Sequence, residues 1–526
     1  MMNAIPTGLR SPGFQMALAG PICAVLVWEV AAHGLSQSYV LAAPSTIAFY
    51  LAQNTGLLGR ALAETVVNAA LGFVIGNLVA IALAACVIVW PRSDAFIRGL
   101  ALIVFCLPLI ATGPILRVIF GPGPWPQIVL AALAVYYTTL IPLLVGLRAL
   151  PSGWLDLVRS YGRGRWAVLY YVRSMASLPY LAAGLQIAAP AALLGAMVGE
   201  FTGAERGVGV LTIRAMRSMD VDMTWALATL ATAVAAISYL AVGWITRLFL
   251  RGDPPIILAA PSSSGTRKSF RARALNGLMV IAAIIALWWL AIRAFNLNPF
   301  FAKGPQDVFY ALFLASDAGA TSATLFAALA ETSVLLVPGY AAGLLLGTLL
   351  AILLVLMPSV AGSVMPLAVA LRSIPIIITA PLIVLVLGRG AVGTMTLVAI
   401  MVFFPTLIAC LHGLRQAPGQ AIDVFNSYAA SRWKVMMRIR VPAMLPAFFA
   451  AARMSVPAST LAVTVVEWLA TGNGIGSLMA LSASLSDYNM LWSCVVVITL
   501  LSTAGYLGVG ALEQRVLATY APEQTQ

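Results

Sequence analysis

Long apolar runs alternate with short polar segments along the whole chain. About 20 consecutive apolar residues are enough to span a bilayer, and the run at 66–90, VVNAALGFVIGNLVAIALAACVIVW, exceeds that length. Hydropathy predicts twelve spanning helices, six in each half of the chain. We place them at 15–35, 62–89, 97–119, 127–147, 178–200 and 225–249, and at 275–295, 331–357, 364–387, 391–413, 446–468 and 490–512.

The two sets of helices repeat one sequence pattern. Glu331-Thr332 matches Glu64-Thr65, and the same offset along the chain keeps matching Pro, Gly, Trp and Glu positions without a gap. Further matched pairs are Gly72 and Gly339, Pro108 and Pro375, Pro114 and Pro381, Trp166 and Trp433, Glu200 and Glu467, and Gly209 and Gly476. We call this constant spacing the repeat offset. Shared hydrophobicity cannot align such rare residues, so the pattern indicates an internal duplication.

A polar segment separates the two copies. Residues 251–273, RGDPPIILAAPSSSGTRKSFRAR, are rich in Pro, Ser and basic residues, which is typical of a flexible linker. We therefore predict a first membrane domain over 1–250, a cytoplasmic basic linker over 251–273 and a second membrane domain over 274–526.

Lysine and arginine predict the orientation, because basic loops stay on the cytoplasmic side. The loops between the fourth and fifth spans of both halves are basic, as is the linker, whereas the loop at 469–489 carries Asp487 as its only charge. Both termini are then cytoplasmic. Six spans per half make the copies parallel, related by an axis along the membrane normal.

Each basic loop contains the same patterned segment, SYGRGRW at 160–166 and SYAASRW at 427–433. A proline opens each segment and a small residue follows Ser-Tyr, which predicts a short surface helix and a turn. Orientation bias explains the charges but not this matched pattern. The segments are candidates for contact with a partner protein through Asp156, Ser160, Tyr161, Gly162, Arg165 and Trp166, and through Asp423, Ser427, Tyr428, Ala429, Arg432 and Trp433.

These segments resemble the EAA loop of ABC importer permeases, from the aspartate through Ser-Tyr to Leu178-Pro179 and Leu445-Pro446. The chain departs from the family pattern with aspartate in place of the usual glutamate, and with Ala429 where glycine is characteristic. The series Leu107-Pro108, Pro114 and Gly121, with Glu-x8-Gly from Glu200 and from Glu467, is most similar to the nitrate/sulfonate/taurine/pyrimidine-precursor branch.

The resemblance implies an all-α polytopic membrane protein made of two tandem six-helix type I importer modules with pseudo-two-fold symmetry. It also implies a cytoplasmic ABC ATPase dimer that binds ATP and Mg, a periplasmic solute-binding protein, and a bacterial inner membrane location. The two patterned loops would be the coupling helices. The solute would be a sulfonate, taurine or nitrate-like anion, or a thiamine-precursor pyrimidine.

The sequence offers no catalytic or metal-binding pattern. It lacks G-x-x-x-x-G-K-[ST], the phosphate-binding loop, so we expect this chain to hold no cofactor and a separate subunit to hydrolyse ATP. The two histidines and five cysteines show no ligand spacing. The net charge of +13 is concentrated in the cytoplasmic loops and requires no nucleic acid partner.

Broken helices and intramembrane charges suggest a translocation pathway. Pro and Gly near 108–124 and 375–390 predict helix breaks, which are tolerated where backbone lines a cavity or contacts protein. A charged side chain inside the bilayer is costly, so such residues tend to mark functional sites. Arg372 and Arg453 can instead extend to the lipid headgroups or pair with Glu467. The candidates are Pro108, Pro114, Pro375, Pro381, Arg372, Arg453, Gln186, Glu200 and Glu467.

Two glutamate positions recur in both copies, which gives four residues. We expect Glu200 and Glu467 to bind the glycine-rich turn that follows each, with a role in gating as the second interpretation. Glu64 and Glu331 are expected at the N-termini of their spans, where carboxylates are favoured.

Two other kinds of transporter share part of this pattern. A secondary transporter can also be a duplicated six-span bundle, but it predicts carboxylate or histidine relays deep in the spans, and it leaves the patterned loops without a purpose. An ABC exporter usually carries its ATPase in the same chain or has long cytoplasmic helix extensions.

Overall fold

A computed structural model shows a protein that is mostly helical over the residues that it describes. These are residues 25–34, 41–148, 156–158, 160–162, 164–250, 270–357, 380, 383, 386–388 and 390–520. In the first half the helices are α1 (Val25–Gly34), α2 (Pro44–Gln53), α3 (Thr55–Val89), α4 (Asp94–Phe105), α5 (Leu109–Phe120), α6 (Trp125–Arg148), α7 (Ser174–Phe201), α8 (Val208–Arg217) and α9 (Val221–Phe249). In the second half they are α10 (Phe270–Ala294), α11 (Pro305–Phe313), α12 (Ala318–Leu356), α13 (Ala391–Arg415), α14 (Gly419–Ser427), α15 (Val441–Val466), α16 (Gly474–Ser484) and α17 (Tyr488–Tyr520).

Most of the predicted spans are confirmed as helices. Within the described part of the chain, 9 helices are long and apolar enough to cross a membrane, or 10 if α4 and α5 form one span. Most of the predicted span at 364–387 and about half of the one at 15–35 lie outside the described residues, so the number twelve stays a prediction.

The third span is not the single helix predicted at 97–119. It consists of α4 and α5, which meet at an angle of 94°. Pro108 lies at the junction with extended backbone, and its ring and missing N–H are incompatible with a continuous helix. The predicted break in the first half is therefore confirmed, whereas Pro375 and Pro381 lie outside the described residues.

Small residues bring the helices of each half close together. A side chain on Gly76 of α3 would lie 2.6 Å from the carbonyl oxygen of Ala132 in α6, and Gly343 of α12 has the same relation to Ala399 in α13. In lipid, where hydrophobic burial gives little driving force between helices, such close contact supplies packing energy. Helix α6 consequently packs between α3 and α7, and α13 packs between α12 and α15.

The bent pair of the first half forms much of the contact between the halves. Helix α4 packs against α10 and α17, and α5 packs against α15, α16 and α17. Ile110 of α5 is fully buried in a cluster that includes Leu461 and Val465 of α15. The position of the break is thus also a position where the two copies meet.

The fifth spans begin earlier than predicted. Before α7 the helix already runs through Arg165–Val168 and a π-helical segment, Leu169–Arg173. Before α15 it runs through Arg432–Val435 and a second π-helical segment, Met436–Arg440, at the matched positions of the second copy. Hydropathy missed these turns because their arginines lower the local apolar average.

The expectation for Glu64 and Glu331 is wrong. Helix α3 begins at Thr55 and α12 begins at Ala318, so both glutamates lie well inside their helices. Both are exposed. The apolar pattern starts near these two glutamates, but each helix already begins in the turns that precede them.

Candidate functional site

A buried carboxylate joins three helices in the first half. Glu200, near the end of α7, is 1% exposed. Its Oε2 accepts a hydrogen bond from the Gly209 N–H of α8 at 2.7 Å, and its Oε1 accepts one from the Thr65 hydroxyl of α3 at 2.6 Å. The Thr65 oxygen in turn accepts from the Val208 N–H at 2.9 Å. We call this group the carboxylate clasp.

The second half contains the same clasp at the matched positions. Glu467, also 1% exposed, accepts from the Gly476 N–H at 2.9 Å and from the Thr332 hydroxyl at 3.0 Å. The Ile475 N–H donates to Thr332, again at 2.9 Å. Both clasps satisfy N–H groups in the first turn of a helix, which have no partner within the helix itself. The expected bond between each glutamate and the following glycine-rich turn is present in both copies.

Glycine is required beside each clasp for steric reasons. Gly207 has φ 133° and Gly474 has φ 84°, a region that L side chains rarely adopt. A Cβ at either position would also overlap the carboxyl group of Glu200 or Glu467. The glycines of the Glu-x8-Gly spacing are close-packed as well, because a Cβ on Gly209 would lie 2.9 Å from the Cβ of Glu200 and one on Gly476 would lie 2.7 Å from the Cβ of Glu467.

The patterned loop of the second half contains the expected surface helix. Helix α14 begins after Pro418, which occupies its N-cap position, and no residue of this helix is buried. Asp423 lies on α14 and Tyr428 follows directly after it, and Tyr428 is 81% exposed. A second short helix starts at Arg432, and its Trp433 is exposed. Ser427, the last residue of α14, is exposed as well.

In the first half only part of the equivalent loop lies among the described residues. Residues 156–158 and Ser160 are helical, and Asp156 and Ser160 are exposed. Tyr161 is 77% exposed, Gly162 has φ 68°, and Arg165 begins the short helix that contains Trp166. Large exposed aromatic side chains thus recur at matched positions in both loops. Their use as a docking surface stays a prediction at this stage.

The two loops are attached differently to the helices behind them. In the first half, Asp94 at the start of α4 pairs with Arg148 at the end of α6, at 2.6 Å, and with Arg98. Trp166 also packs edge-on against Trp90, with ring centroids 6.0 Å apart. In the second half the sequence has Ala361 at the position matched to Asp94 and Met357 at the position matched to Trp90, so these attachments belong to one copy only.

One residue at the end of α14 has an unfavourable backbone conformation. Ala429 has φ 52°, where the matched residue of the first half is Gly162 at φ 68°. We expect Ala429→Gly to stabilise the turn by about 1 kcal/mol, because glycine has no Cβ to disfavour left-handed backbone. Slower amide hydrogen exchange in 422–430 is the measurement.

The reciprocal change supplies the control for this prediction. A Cβ on Gly162 would meet no atom within 4 Å, so Gly162→Ala tests conformation without a clash. It should cost a similar free energy and speed exchange in the first loop. Equal exchange rates in the Ala429→Gly variant and the wild type would contradict the expectation.

Among the described residues, the predicted pathway residues have separate neighbours. Gln186 lies against Gly243 of α9, where a Cβ would approach its Nε2 to 2.5 Å. The Nε of Arg453 forms an ion pair with Oε2 of Glu513 at 3.0 Å, without hydrogen-bond geometry. The alternative pairing of Arg453 with Glu467 is therefore wrong. Pro108 and Pro114 lie at the bend and inside α5, and Arg372 lies outside the described residues.

Sequence reasoning missed the partners that complete these sites. No sequence pattern points to Asp94 or Glu513, and the repeat marks Thr65 and Thr332 only as neighbours of matched glutamates. Their recurrence in both copies was the available signal for the two threonines. In the part of the chain that the structure describes, no three His, Cys, Asp or Glu side chains converge as a metal site.

A family model described as "Binding-protein-dependent transport system inner membrane component" matches the chain twice, over residues 72–252 and 343–518. The two matches together cover more than half of the chain. They occupy corresponding parts of the two copies, as a duplicated sequence requires.

Individual relatives are similar to one copy at a time. A probable ABC transporter permease protein of Haemophilus influenzae is 29% identical over 227 residues, 43% of this chain and 93% of the relative. The formylaminopyrimidine transport permease protein ThiX of Halalkalibacterium halodurans is 25% identical over 47% of this chain and 96% of the relative. The taurine transport system permease protein TauC of Escherichia coli is 24% identical, with 45% and 86% covered. Each relative therefore corresponds to about half of this chain.

Proposed function

We infer the function of this chain from the family to which it belongs, the binding-protein-dependent transport system inner membrane components. It is a multi-pass membrane protein and the permease of an ABC importer, with two permease units fused in one chain. The observation that carries this conclusion is the double family match on a duplicated helical bundle. The alternative of a secondary transporter is not favoured by these relatives.

We propose that the two patterned loops are the coupling elements. Short exposed helices with aromatic and arginine side chains are the composition that protein interfaces favour. The basic loops, the linker and both termini would face the cytoplasm, where an ATPase dimer binds ATP and Mg. The absence of a phosphate-binding loop in the sequence supports a separate ATPase subunit.

The proposed cycle is alternating access. ATP binding closes the ATPase dimer and draws the two coupling loops together, and the helices attached to them then open the pathway outward. A periplasmic solute-binding protein delivers the solute, and hydrolysis restores the inward-facing state. The continuous helix from Arg432 into α15 supports a direct mechanical connection between the second loop and its fifth span.

The solute is proposed to be small and polar. Relatives are named for taurine, formylaminopyrimidine and aliphatic sulfonates, which supports either a sulfonate, taurine or nitrate-like anion or a thiamine-precursor pyrimidine. The bent segment at Pro108 is the proposed pathway element, because α4 and α5 contact the second half and the helix break leaves backbone groups without partners in the helix.

Transport energetics test the proposed function directly. We expect an ATPase subunit to co-elute when the chain is purified from its host membranes, and solute uptake to stop when cellular ATP is depleted at constant membrane potential. Uptake that follows an ion gradient in vesicles containing this chain alone would overturn the proposal.

A further inference from the structure

The first patterned loop is attached at both of its ends to the turn between α3 and α4. Arg148, the last residue of α6, leads into the loop and donates to Asp94 at the start of α4, at 2.6 Å. Trp166, where the chain leaves the loop, packs edge-on against Trp90, which follows directly after α3. Only the short segment Pro91–Ser93 separates these two attachment points. The loop and the turn are therefore held together as one unit.

Further contacts join α4 to α6 along its length. The Tyr136 hydroxyl of α6 donates to the Ala101 carbonyl of α4. Phe105, the last residue of α4, stacks on Tyr137 of α6 with ring centroids 4.1 Å apart. Both tyrosines are buried. Helix α4 thus contacts α6 at its start, near its middle and at its end. Because packed interiors are stiff, a shift of α6 carries α4 with it.

Helix α4 leads directly into the bend, and the bend contacts the second half. Cys106, the residue after α4, is 2% exposed, and its thiol is a hydrogen-bond partner of Ser502 and Thr503 on α17. Earlier in α4, a Cβ on Gly99 would lie 2.9 Å from a methyl group of Val280 on α10. A displacement of α4 therefore changes the contact between the two halves at the bend.

The sequence of the second copy cannot form the same polar attachments. Ala361 stands at the position matched to Asp94, and Phe403 at the position matched to Tyr136. Alanine has no carboxylate and phenylalanine has no hydroxyl, so neither the ion pair nor the hydrogen bond has its side chain. Helix α13, which contains Phe403, nevertheless packs between α12 and α15 as α6 packs between α3 and α7. The bundle of a permease unit thus forms without these links.

We propose that the first patterned loop transmits closure of the ATPase to the bend at Pro108 through the Arg148–Asp94 ion pair and the Tyr136 hydrogen bond, and that the second loop lacks this route. The proposal rests on the importer function above. Charged hydrogen bonds are strong and directional, and both side chains of the ion pair are largely sheltered from solvent. Asp94, Arg148 and Tyr136 are then positioning residues, which act on the pathway through α4.

The thiol of Cys106 reports whether the bend moves. The full chain, with its four other cysteines changed to alanine, is purified together with its co-eluting ATPase. Alkylation of Cys106 by N-ethylmaleimide is timed without nucleotide and after trapping with Mg-ATP and vanadate. We expect the two rates to differ by about tenfold, because the thiol is buried in one state and accessible in the other. Equal rates would overturn the proposal, since the bend would then not follow the ATPase.

A double variant removes the two links without leaving a charge unpaired. Arg148→Ala keeps Asp94 paired with Arg98, and Tyr136→Phe introduces the residue that the second copy has at this position. Together they should bring the two alkylation rates within about twofold of each other, because a charged and a neutral hydrogen bond are lost. The matched control is Arg415→Ala, which removes the exposed arginine of the second copy and should keep the tenfold difference. The same rate difference in the double variant and the control would refute the route.

Two further readouts separate transmission from structure. Asp94→Ala should lose the rate difference, and Asp94→Glu, which still offers Arg148 a carboxylate, should recover most of it. The double variant should retain the ATPase and continue to hydrolyse ATP, because the docking surface is unchanged. Loss of the ATPase from this variant would assign the contacts to assembly and refute transmission. Failure of the importer function looks different, since no ATPase would then co-elute with the unsubstituted chain.

Discussion

Replacing Glu200 by alanine is expected to lower the free energy of unfolding by about 1–3 kcal/mol. The substitution leaves the Gly209 N–H buried without its acceptor, which costs roughly that amount, whereas the Thr65 hydroxyl keeps the Ala61 carbonyl as an acceptor. The thermal unfolding midpoint of the purified chain in detergent is the measurement. Glu467→Ala should act similarly through Gly476 and Thr332.

Matched variants show whether the clasp is responsible. Glu64→Ala removes an exposed carboxylate next to Thr65 and should leave the midpoint nearly unchanged. Glu200→Gln keeps one acceptor oxygen and should fall between the wild type and alanine. If Glu200→Ala and Glu64→Ala unfold at the same temperature, the clasp contributes no stability.

Removing the exposed aromatic side chains of both patterned loops is expected to abolish co-purification with an ATPase. The set Tyr161→Ala, Trp166→Ala, Tyr428→Ala and Trp433→Ala takes away four large contacts. Interface aromatics often contribute about 2 kcal/mol or more each, so the retained ATPase should fall by well over tenfold. ATP-dependent uptake should be lost with it.

Two comparisons make this result specific. Tyr310→Ala removes an exposed tyrosine on the short helix α11, outside the loops, and should retain the ATPase. Variants that lose the aromatic side chains of one loop only should show whether the attachment by Asp94 and Trp90 makes the first loop bind the ATPase more tightly than the second. Full retention of the ATPase by the quadruple variant would exclude these aromatics as the docking surface.

Much of the architecture was predictable because the bilayer restricts what a chain can do. Lipid offers no hydrogen bonds to backbone, so a run such as 391–413 must be a helix, and α13 confirms it. The break at Pro108 was predictable for a local reason, the missing N–H. The extension of the fifth spans toward Arg165 and Arg432 was not predictable from hydropathy. Charged turns can still be helical when a neighbouring turn is anchored in the membrane.

The sequence by itself determined the helical class, the duplication, and the loops and turns that recur in both copies, since these follow from local composition and from the repeat offset. Only the tertiary structure decided which side chains meet. Thr65 and Glu200 are 135 residues apart, and Arg453 pairs with Glu513 on the next span rather than with Glu467 on its own. Such partners depend on the rotation and depth at which one helix packs on another. Small side-chain contacts along the whole interface set that geometry, and no local pattern encodes it.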